Sequence, residues 1–486
     1  MVTPLPANAA RFTLAEVALA CGLEPVSQGT AQVKTSSVCT DSRRAVRGCL
    51  YVALPGERFD GHDFLEQVQA AGAAAAIVRK GTQGPKGLPL IQVEDTLHAL
   101  GDLAAFHRRR WGGRVVAITG SAGKTTTKEL TAAALAGVTD GGAAAVTRTA
   151  GNLNNRVGVP MTLFTLTDAH STAVIEIGTS ERGEIARLAQ IAAPNVGVVT
   201  AVAVAHAQGL GSLEGVAAEK ASLLLALPAS GTAIYSADHH ILRSHLPAVR
   251  ARLLSFGTSE GADVQLSECR VARSATNGLS ASCHYRIPEC ERAQEVSMAM
   301  LGDGPAVDGA AALAVVYALL GPSAAISAAA SLGQVLPTAG RLQPQPGPGG
   351  SVILNDTYNA NPASMAASLR SLAALVQQSA AGRALAVLGD MKELGIHAET
   401  EHVAVGVLCA RYKLARFVGC GPDMRAAVEA ARAAGLAGAE WVPEPAAVVA
   451  TLGPTLGPDD VVLIKGSRSM AMERVVEGLA AFGGEQ

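Results

Sequence analysis

Aromatic residues make up only 3% of this 486-residue chain and charged residues only 16%. A chain this poor in charge is not a solvated, disordered polymer, and its 49% hydrophobic content calls for packed cores. Much of that content is alanine, in runs such as Ala73-Ala74-Ala75-Ala76, which suits close helix–sheet packing. No charge of one sign dominates: 39 Lys and Arg against 41 Asp and Glu leave a net charge of −2. That excludes a broad electrostatic footprint for nucleic acid, and the triplet Arg108-Arg109-Arg110 reads as a solvated helix end. The eight cysteines form no C-x-x-C pair and no metal-type spacing, so they read as reduced, mostly buried thiols of a cytosolic protein. No uninterrupted apolar run reaches the roughly 18 residues a membrane span needs. The opening Met1-Val2-Thr3-Pro4-Leu5-Pro6 lacks a basic-then-apolar leader. A soluble, cytoplasmic, monomeric protein is expected. Its length exceeds one core and predicts roughly two to four domains.

What is present is concentrated in Gly120-Ser121-Ala122-Gly123-Lys124-Thr125-Thr126. An apolar, β-branched run, Val115-Val116-Ala117-Ile118-Thr119, precedes it, and a helical stretch from Thr127 through Ala136 follows. Strand, glycine turn and helix are the context of a phosphate-binding loop. Glycines let backbone N–H groups close around phosphate oxygens, and the helix N-terminus adds partial positive charge. Lys124 would reach the outer phosphates and the Thr125 hydroxyl would ligate Mg²⁺. The general pattern asks for a glycine where Ile118 stands; the short form Gly-x-x-Gly-Lys-Thr-Thr is the one certain ATP-dependent ligases and synthetases use. A nucleoside triphosphate is the expected substrate.

Three α/β parts are predicted, with boundaries at 1–95, 96–339 and 340–486. In the first, a helix (Leu14 to Cys21), a strand (Cys49 to Leu54), a helix (Leu65 to Ala71) and a strand (Ala74 to Val78) make a small unit. In the second, strands at Val115–Thr119, Thr172–Ile177, Val196–Thr200 and Thr232–Tyr235 alternate with helices, which argues a doubly wound parallel sheet. Polar–apolar alternation from Asp263 to Val296, with an Asn277-Gly278 turn, adds an antiparallel hairpin. Gln343 to Gly350, rich in proline and glycine, reads as a surface loop. Beyond it, strands at Val352–Leu354, Leu385–Leu388, Arg416–Val418 and Val461–Ile464 make a Rossmann-like part without a dinucleotide fingerprint.

Several polar residues stand out. Glu176 lies in an apolar strand, where a carboxylate must be paired or bound to a cation, so Mg²⁺ and an ion pair with an arginine are the two readings. His206 follows a strand and suits a ligand or a satisfied core position. Lys220, in an otherwise apolar helical stretch, reads by itself as a solvated helix lysine. Gly151 to Pro160 places Asn152, Asn154 and Asn155 in one loop, where amides suit phosphate or sugar oxygens or simple turns. Asn355 to Pro362, Asp390 and Lys465 occupy strand-end positions, where open α/β sheets bind ligands. Together these loops suggest a site between domains.

The combination resembles the Mur ligases over nearly the whole length. The likeness rests on Thr40-Asp41-Ser42-Arg43 with Asp60-Gly61-His62, Thr119 to Glu129, Gly151 to Pro160, and Glu176 with Gly183-Glu184-Ile185. It continues through Ala205-His206, Gly211 to Glu214 with Lys220, Gly340-Arg341, Asp356 to Pro362, Leu388 to Gly395, and Lys465 to Arg468. The last three groups look like the branch that adds D-alanyl-D-alanine to a UDP-linked muramoyl tripeptide, and the Asp-Asn-Pro-Arg run of the neighbouring branch is absent. The resemblance implies an ATP-dependent ligase with a small UDP-binding N-terminal domain, a central ATPase domain and a C-terminal Rossmann-like domain that swings onto it. It implies Thr125, Glu176 and His206 as Mg²⁺ ligands, with Lys124, Glu176, His206 and Lys220 as the catalytic set. Lys220 matches a lysine that is often carbamylated. Gly120 through Thr126, Arg341, Asp356 and Asn359 would hold ATP. Ser42, Arg43, Asn154, Asn155, Asp390 and Lys465 would hold the UDP and peptide substrates. One departure is visible. The family's nucleotide-touching His-Asn pair is replaced by Pro305 and Ala306, aligned on Val307.

Overall fold

The computed structural model describes residues 3–56, 59–203, 210–274, 278–377 and 382–484. Three sheets organise the described residues. The first is four-stranded and parallel, in chain order: Ser37–Cys39, Cys49–Val52, Ala75–Arg79 and Leu90–Val93. The helix Thr96–Trp111, capped by Asp95, leads from it to the second.

The second sheet has nine strands. From one edge they run Val146–Arg148, Thr172–Glu176, Arg114–Thr119, Val196–Val199, Thr232–Ser236, Arg252–Gly257, Val264–Ser274, Gly278–Arg286 and Gln294–Met298. All pairings are parallel up to Val264–Ser274, and the last two strands fold back antiparallel. The expected hairpin is there, although Asn277 lies outside the described residues. Sequence reading missed Val146–Arg148 and Arg252–Gly257, which are short or polar at one end.

Strand alternation explains how the core is shared. Val115 and Ala117 face the cluster that holds helix Thr96–Trp111 and the first unit, whereas Val116 and Ile118 face helices Lys124–Ala136 and Asp303–Leu320. A parallel strand buried on both faces reads as a continuous apolar run, as Val115 to Ile118 does. The same alternation puts Glu176 on the Val174 face, toward Lys124–Ala136. Helix Asp303–Leu320 is long and apolar enough, by those measures alone, to cross a membrane. Here it is a core helix, packed on Lys124–Ala136 and on the sheet.

The third sheet has six strands in the order Gln343–Pro346, Val352–Asp356, Asp460–Lys465, Arg383–Gly389, Arg416–Cys420 and Ala439–Val442. Two expectations need correction here. Gln343–Pro346 is an edge strand, antiparallel to Val352–Asn355, and not a loop. Proline lacks a donor, but an edge strand pairs on one side only, so Pro344 and Pro346 are tolerated. Arg108 is not a solvated helix end. It is buried, and its guanidinium donates to Ala192 O (3.0 Å) and Ala193 O (3.1 Å), the last carbonyls of helix Glu184–Ala192. All eight cysteines are free thiols, and Cys269 and Cys283 meet across the hairpin at 3.8 Å.

Candidate functional site

Strand Arg114–Thr119 ends on Gly120, and helix Lys124–Ala136 begins four residues later. The loop between them is stitched to the segment after the neighbouring strand. Ser121 N donates to Ala201 O (2.7 Å), and the Thr200 hydroxyl donates to Ala122 O (2.5 Å). A Cβ on Gly120 would fall 2.0 Å from that Thr200 hydroxyl, so only glycine lets the two chains approach. Gly123 sits at φ +81°, in the left-handed region, and a Cβ there would fall 2.4 Å from Asp308 Oδ1. Gly123→Ala carries roughly 1–2 kcal/mol of backbone strain before that contact is counted. It is expected to lower the melting temperature by several degrees and to weaken ADP binding, checked by thermal melts and calorimetry. An alanine variant with wild-type affinity would contradict this picture of the loop.

Lys124, the first helical residue, folds back and donates to Gly120 O at 2.7 Å. Burial pushes its pKa down; Glu176 opposes that and Arg341 adds to it. Thr125 stands at the centre of the polar contacts. Its hydroxyl donates to Glu176 Oε2 (3.0 Å) and accepts from Arg341 Nη2 (3.0 Å), which reaches across from the third unit. Glu176, 2% exposed, also accepts from Asn154 Nδ2 (2.9 Å) and lies 3.6 Å from the Lys128 ammonium. The nearest ion-pair partner of Glu176 is therefore a lysine and not the arginine that sequence reading considered. Arg341 stacks on Tyr358, 4.3 Å from the ring centre, and its Nε is buried without an acceptor. Asn361 Nδ2 donates to Ser121 O at 3.3 Å, a second bridge from the third unit to the loop.

Lys220 is 2% exposed, which overturns its reading as a solvated lysine. Burial and the Lys124 charge push its pKa down to about 7, against the pull of Glu219 and Glu184. Glu219 is itself committed, accepting from Gly183 N (2.7 Å) and Ile185 N (2.9 Å) at the start of helix Glu184–Ala192. His206 lies outside the described residues.

In the third sheet, Asp356 and Lys465 are register neighbours at the carboxyl ends of adjacent parallel strands. The Lys465 ammonium donates to Asp356 Oδ2 (2.7 Å) and Asn359 O (3.0 Å), and Asp356 also accepts from Ser368 Oγ (2.6 Å) and Leu342 N (3.1 Å). The Asn359 side chain is exposed. Lys465→Met breaks this buried pair from one side. Loss of about 3–5 kcal/mol is expected in urea unfolding of the third unit, and an unchanged midpoint would contradict it. Asp390 is fully buried one residue beyond Arg383–Gly389; it pairs with Lys392 (2.8 Å) and accepts from Met424 N (3.0 Å). Asp390, His402 and Asp423 could together surround a metal ion, but Lys392 already bridges the two carboxylates.

The remaining predicted residues stand apart. Asn155 Oδ1 accepts from Val157 N and Gly158 N, so it shapes the turn into helix Gly158–Leu163. Thr126 is half-buried in the first turn after the loop. Ser42 and Arg43 lie on a short turn in the first unit, where Arg43 pairs with Asp41 (2.8 Å). The Arg43 guanidinium holds the Asp41 carboxyl below its ordinary pKa. Sequence reading missed Lys128 and Asp308. Lys128 lies one turn after Lys124 on the same helix face, and Asp308 is a carboxyl inside an alanine-rich helix. The second signal is the kind that drew attention to Glu176.

A phosphate loop joined through a threonine hydroxyl to a strand-end carboxylate and to an arginine of a third α/β unit defines a nucleotide-dependent ligase architecture. Residues 34–108 match the Mur ligase family catalytic domain, 118–316 the Mur ligase middle domain, and 340–468 the Mur ligase glutamate ligase domain. The chain belongs to the Mur ligase family. Over 455 residues it is 35% identical to the UDP-N-acetylmuramoyl-tripeptide–D-alanyl-D-alanine ligase of Escherichia coli, covering 93% of this chain and 95% of that one. A crystal structure of MurF from Acinetobacter baumannii superposes with a TM-score of 0.83 at 30% identity, covering 98% of this chain and all of that one. MurF of Thermotoga maritima in complex with ADP superposes with a TM-score of 0.80 at 27% identity, covering 92% and 98%.

Proposed function

We infer that this chain joins D-alanyl-D-alanine to UDP-N-acetylmuramoyl-tripeptide at the expense of ATP, giving the pentapeptide precursor of peptidoglycan. The observation that carries this reading is the meeting of phosphate loop, Glu176 and Arg341 at one hydroxyl, Thr125, in a chain similar to such ligases almost end to end. The three-part division at 95/96 and 339/340 belongs to the same reading, as does a cytoplasmic monomer.

The tripeptide carboxylate attacks the γ-phosphorus of ATP; the bond to the β–γ bridging oxygen breaks and ADP leaves. The amine of D-alanyl-D-alanine then attacks the acyl carbon of the resulting acyl phosphate, the amide forms, and phosphate departs. The first step brings two anions together. Lys124 and backbone N–H groups of the loop other than that of Ser121, which is held by Ala201 O, offset that repulsion from fixed positions. Arg341 supplies a further positive charge from the third unit, which meets the loop again through Asn361; closing that unit over the loop would keep water from an acyl phosphate.

Thr125 and Glu176 are hard oxygen donors 3.0 Å apart, a donor set that suits Mg²⁺, with His206 as the third ligand in this reading. When bound, the ion would neutralise phosphate charge and polarise the γ-phosphoryl group. The burial of Lys220 supports its carbamylation. With a pKa of about 7 roughly half of its amine is neutral at pH 7, against roughly one part in three thousand for an ordinary lysine. The neutral nitrogen attacks CO₂, loses a proton to solvent and becomes a carbamate anion facing the cationic Lys124. In the third unit, Asp356 and Asn359 are assigned to the nucleotide, and Asp390 and Lys465 to the peptide substrates. Asn154 and Asn155 lie on the loop assigned to the UDP-linked substrate, with Ser42 and Arg43 as its uridine contacts. Mass spectrometry of the product is the test: the UDP substrate gains one dipeptide residue mass when the reading is right, and stays unchanged when it is wrong.

A further inference from the structure

Helix Asp303–Leu320 carries a carboxyl that the mechanism above does not use. Asp308 is 7% exposed and sits where this helix packs on Lys124–Ala136. Its Oδ1 accepts the Thr127 hydroxyl at 3.0 Å, and Thr127 N in turn donates to Gly123 O at 2.8 Å. A Cβ on Gly123 would lie 2.4 Å from Oδ1 and 3.1 Å from both Cγ and Oδ2, so the face of the carboxyl lies against the Gly123 Cα. It thus touches the phosphate loop at its left-handed glycine and at the first turn of the helix that follows. A position needed only to fill space between two helices takes alanine, as six other positions of this helix do. A buried carboxyl is costly by comparison. Desolvation pushes the Asp308 pKa up to about 7, against the Thr127 hydrogen bond and the Arg341 charge.

The same helix has Pro305 and Ala306 in its first turns, where the resemblance leads one to expect a His-Asn pair. Tyr285 occupies that side: its hydroxyl donates to Ala306 O at 2.9 Å and lies against Gly309. The helix therefore offers no polar side chain at 305 or 306, yet two residues on it braces the loop through Asp308.

We propose that Asp308 is a positioning residue of the nucleotide site, fixing the curvature of the phosphate loop through Gly123 and Thr127. The proposal rests on the ATP-dependent reading given above. It acts on binding of the phosphates and not on the chemical step, so it separates nucleotide affinity from turnover.

The test is calorimetric titration of the full chain with Mg-ADP, beside steady-state kinetics in ATP. Asp308→Ala opens a gap beneath Gly123 and strands the Thr127 hydroxyl. The expected result is about a tenfold rise in the Kd for Mg-ADP and in KM for ATP, with kcat within about threefold. Asp308→Asn keeps an acceptor for Thr127 and the same shape, and should stay within about threefold of wild type. Thr127→Val removes the hydroxyl at nearly constant volume; if Asp308→Ala fails to fold, its weaker ADP binding carries the test. Wild-type affinity in Asp308→Ala or in Thr127→Val would overturn the proposal, as would Asp308→Asn binding as weakly as Asp308→Ala. A wild-type chain that binds no Mg-ADP is a different result: it overturns the ATP-dependent reading and this inference with it.

Discussion

Lys124→Ala is expected to abolish phosphate release while binding of the UDP-linked substrate persists. Lys124 is the first residue of its helix, is held to Gly120 O, and projects its charge into the loop that would receive the outer phosphates. Removing one preorganised charge or donor from such a site costs roughly 10²–10³-fold in kcat. Burial depresses the Lys124 pKa, and an incoming triphosphate supplies the opposite charge that favours the ammonium. The uridine site in this account lies in the first unit, with its own four-stranded sheet, so its affinity for the UDP substrate should be untouched. Phosphate release and substrate titration on the same preparation separate the two effects. Equal turnover in the variant would refute the role given to Lys124.

Lys220→Ala is the second large effect. The side chain is buried in helix Leu213–Leu225, near the Lys124 charge, and a bare ammonium there is disfavoured on both counts. A carbamate reverses the sign and turns repulsion of Lys124 into attraction. Activity is expected to fall by about 10²-fold in the alanine variant, and millimolar formate or acetate should restore part of it by putting a carboxylate in the gap. The sign of the pH dependence follows from the depressed pKa. As pH falls below about 7 the amine takes a proton, CO₂ can no longer add, and wild-type activity declines. The acid-rescued variant lacks that amine and should lose this part of the profile. Absence of any rescue would point to a plain structural lysine.

The phosphate loop was legible in the sequence because strand, glycines, lysine and threonines are contiguous there. Glu176 stood out because a carboxylate inside Thr172-Ala173-Val174-Ile175 must be paired or bound to a cation. What was not legible depends on elements distant in sequence. Arg341 was named only through the family resemblance, and its contact with the Thr125 hydroxyl 216 residues away was not foreseen; Asp308, 181 residues from Thr127, was missed altogether. The burial of Lys220 was invisible from its own apolar helical stretch, where a single lysine reads as the residue that reaches solvent. It results from packing against the sheet and against helix Glu184–Ala192. Gln343–Pro346 was misread because its prolines signal a loop locally, while the edge position that tolerates them is a property of the whole sheet. Arg108 was misread in the same way, since the carbonyls it caps belong to a helix 84 residues further on.

The central claim is that ATP cleavage in this site serves amide formation, and one assay reads it most directly. Phosphate release is followed with Mg-ATP and UDP-N-acetylmuramoyl-tripeptide, with and without D-alanyl-D-alanine. The account predicts sustained release only with all three present, one phosphate for each pentapeptide formed. Release at the same rate without the dipeptide, or without the tripeptide, would contradict it.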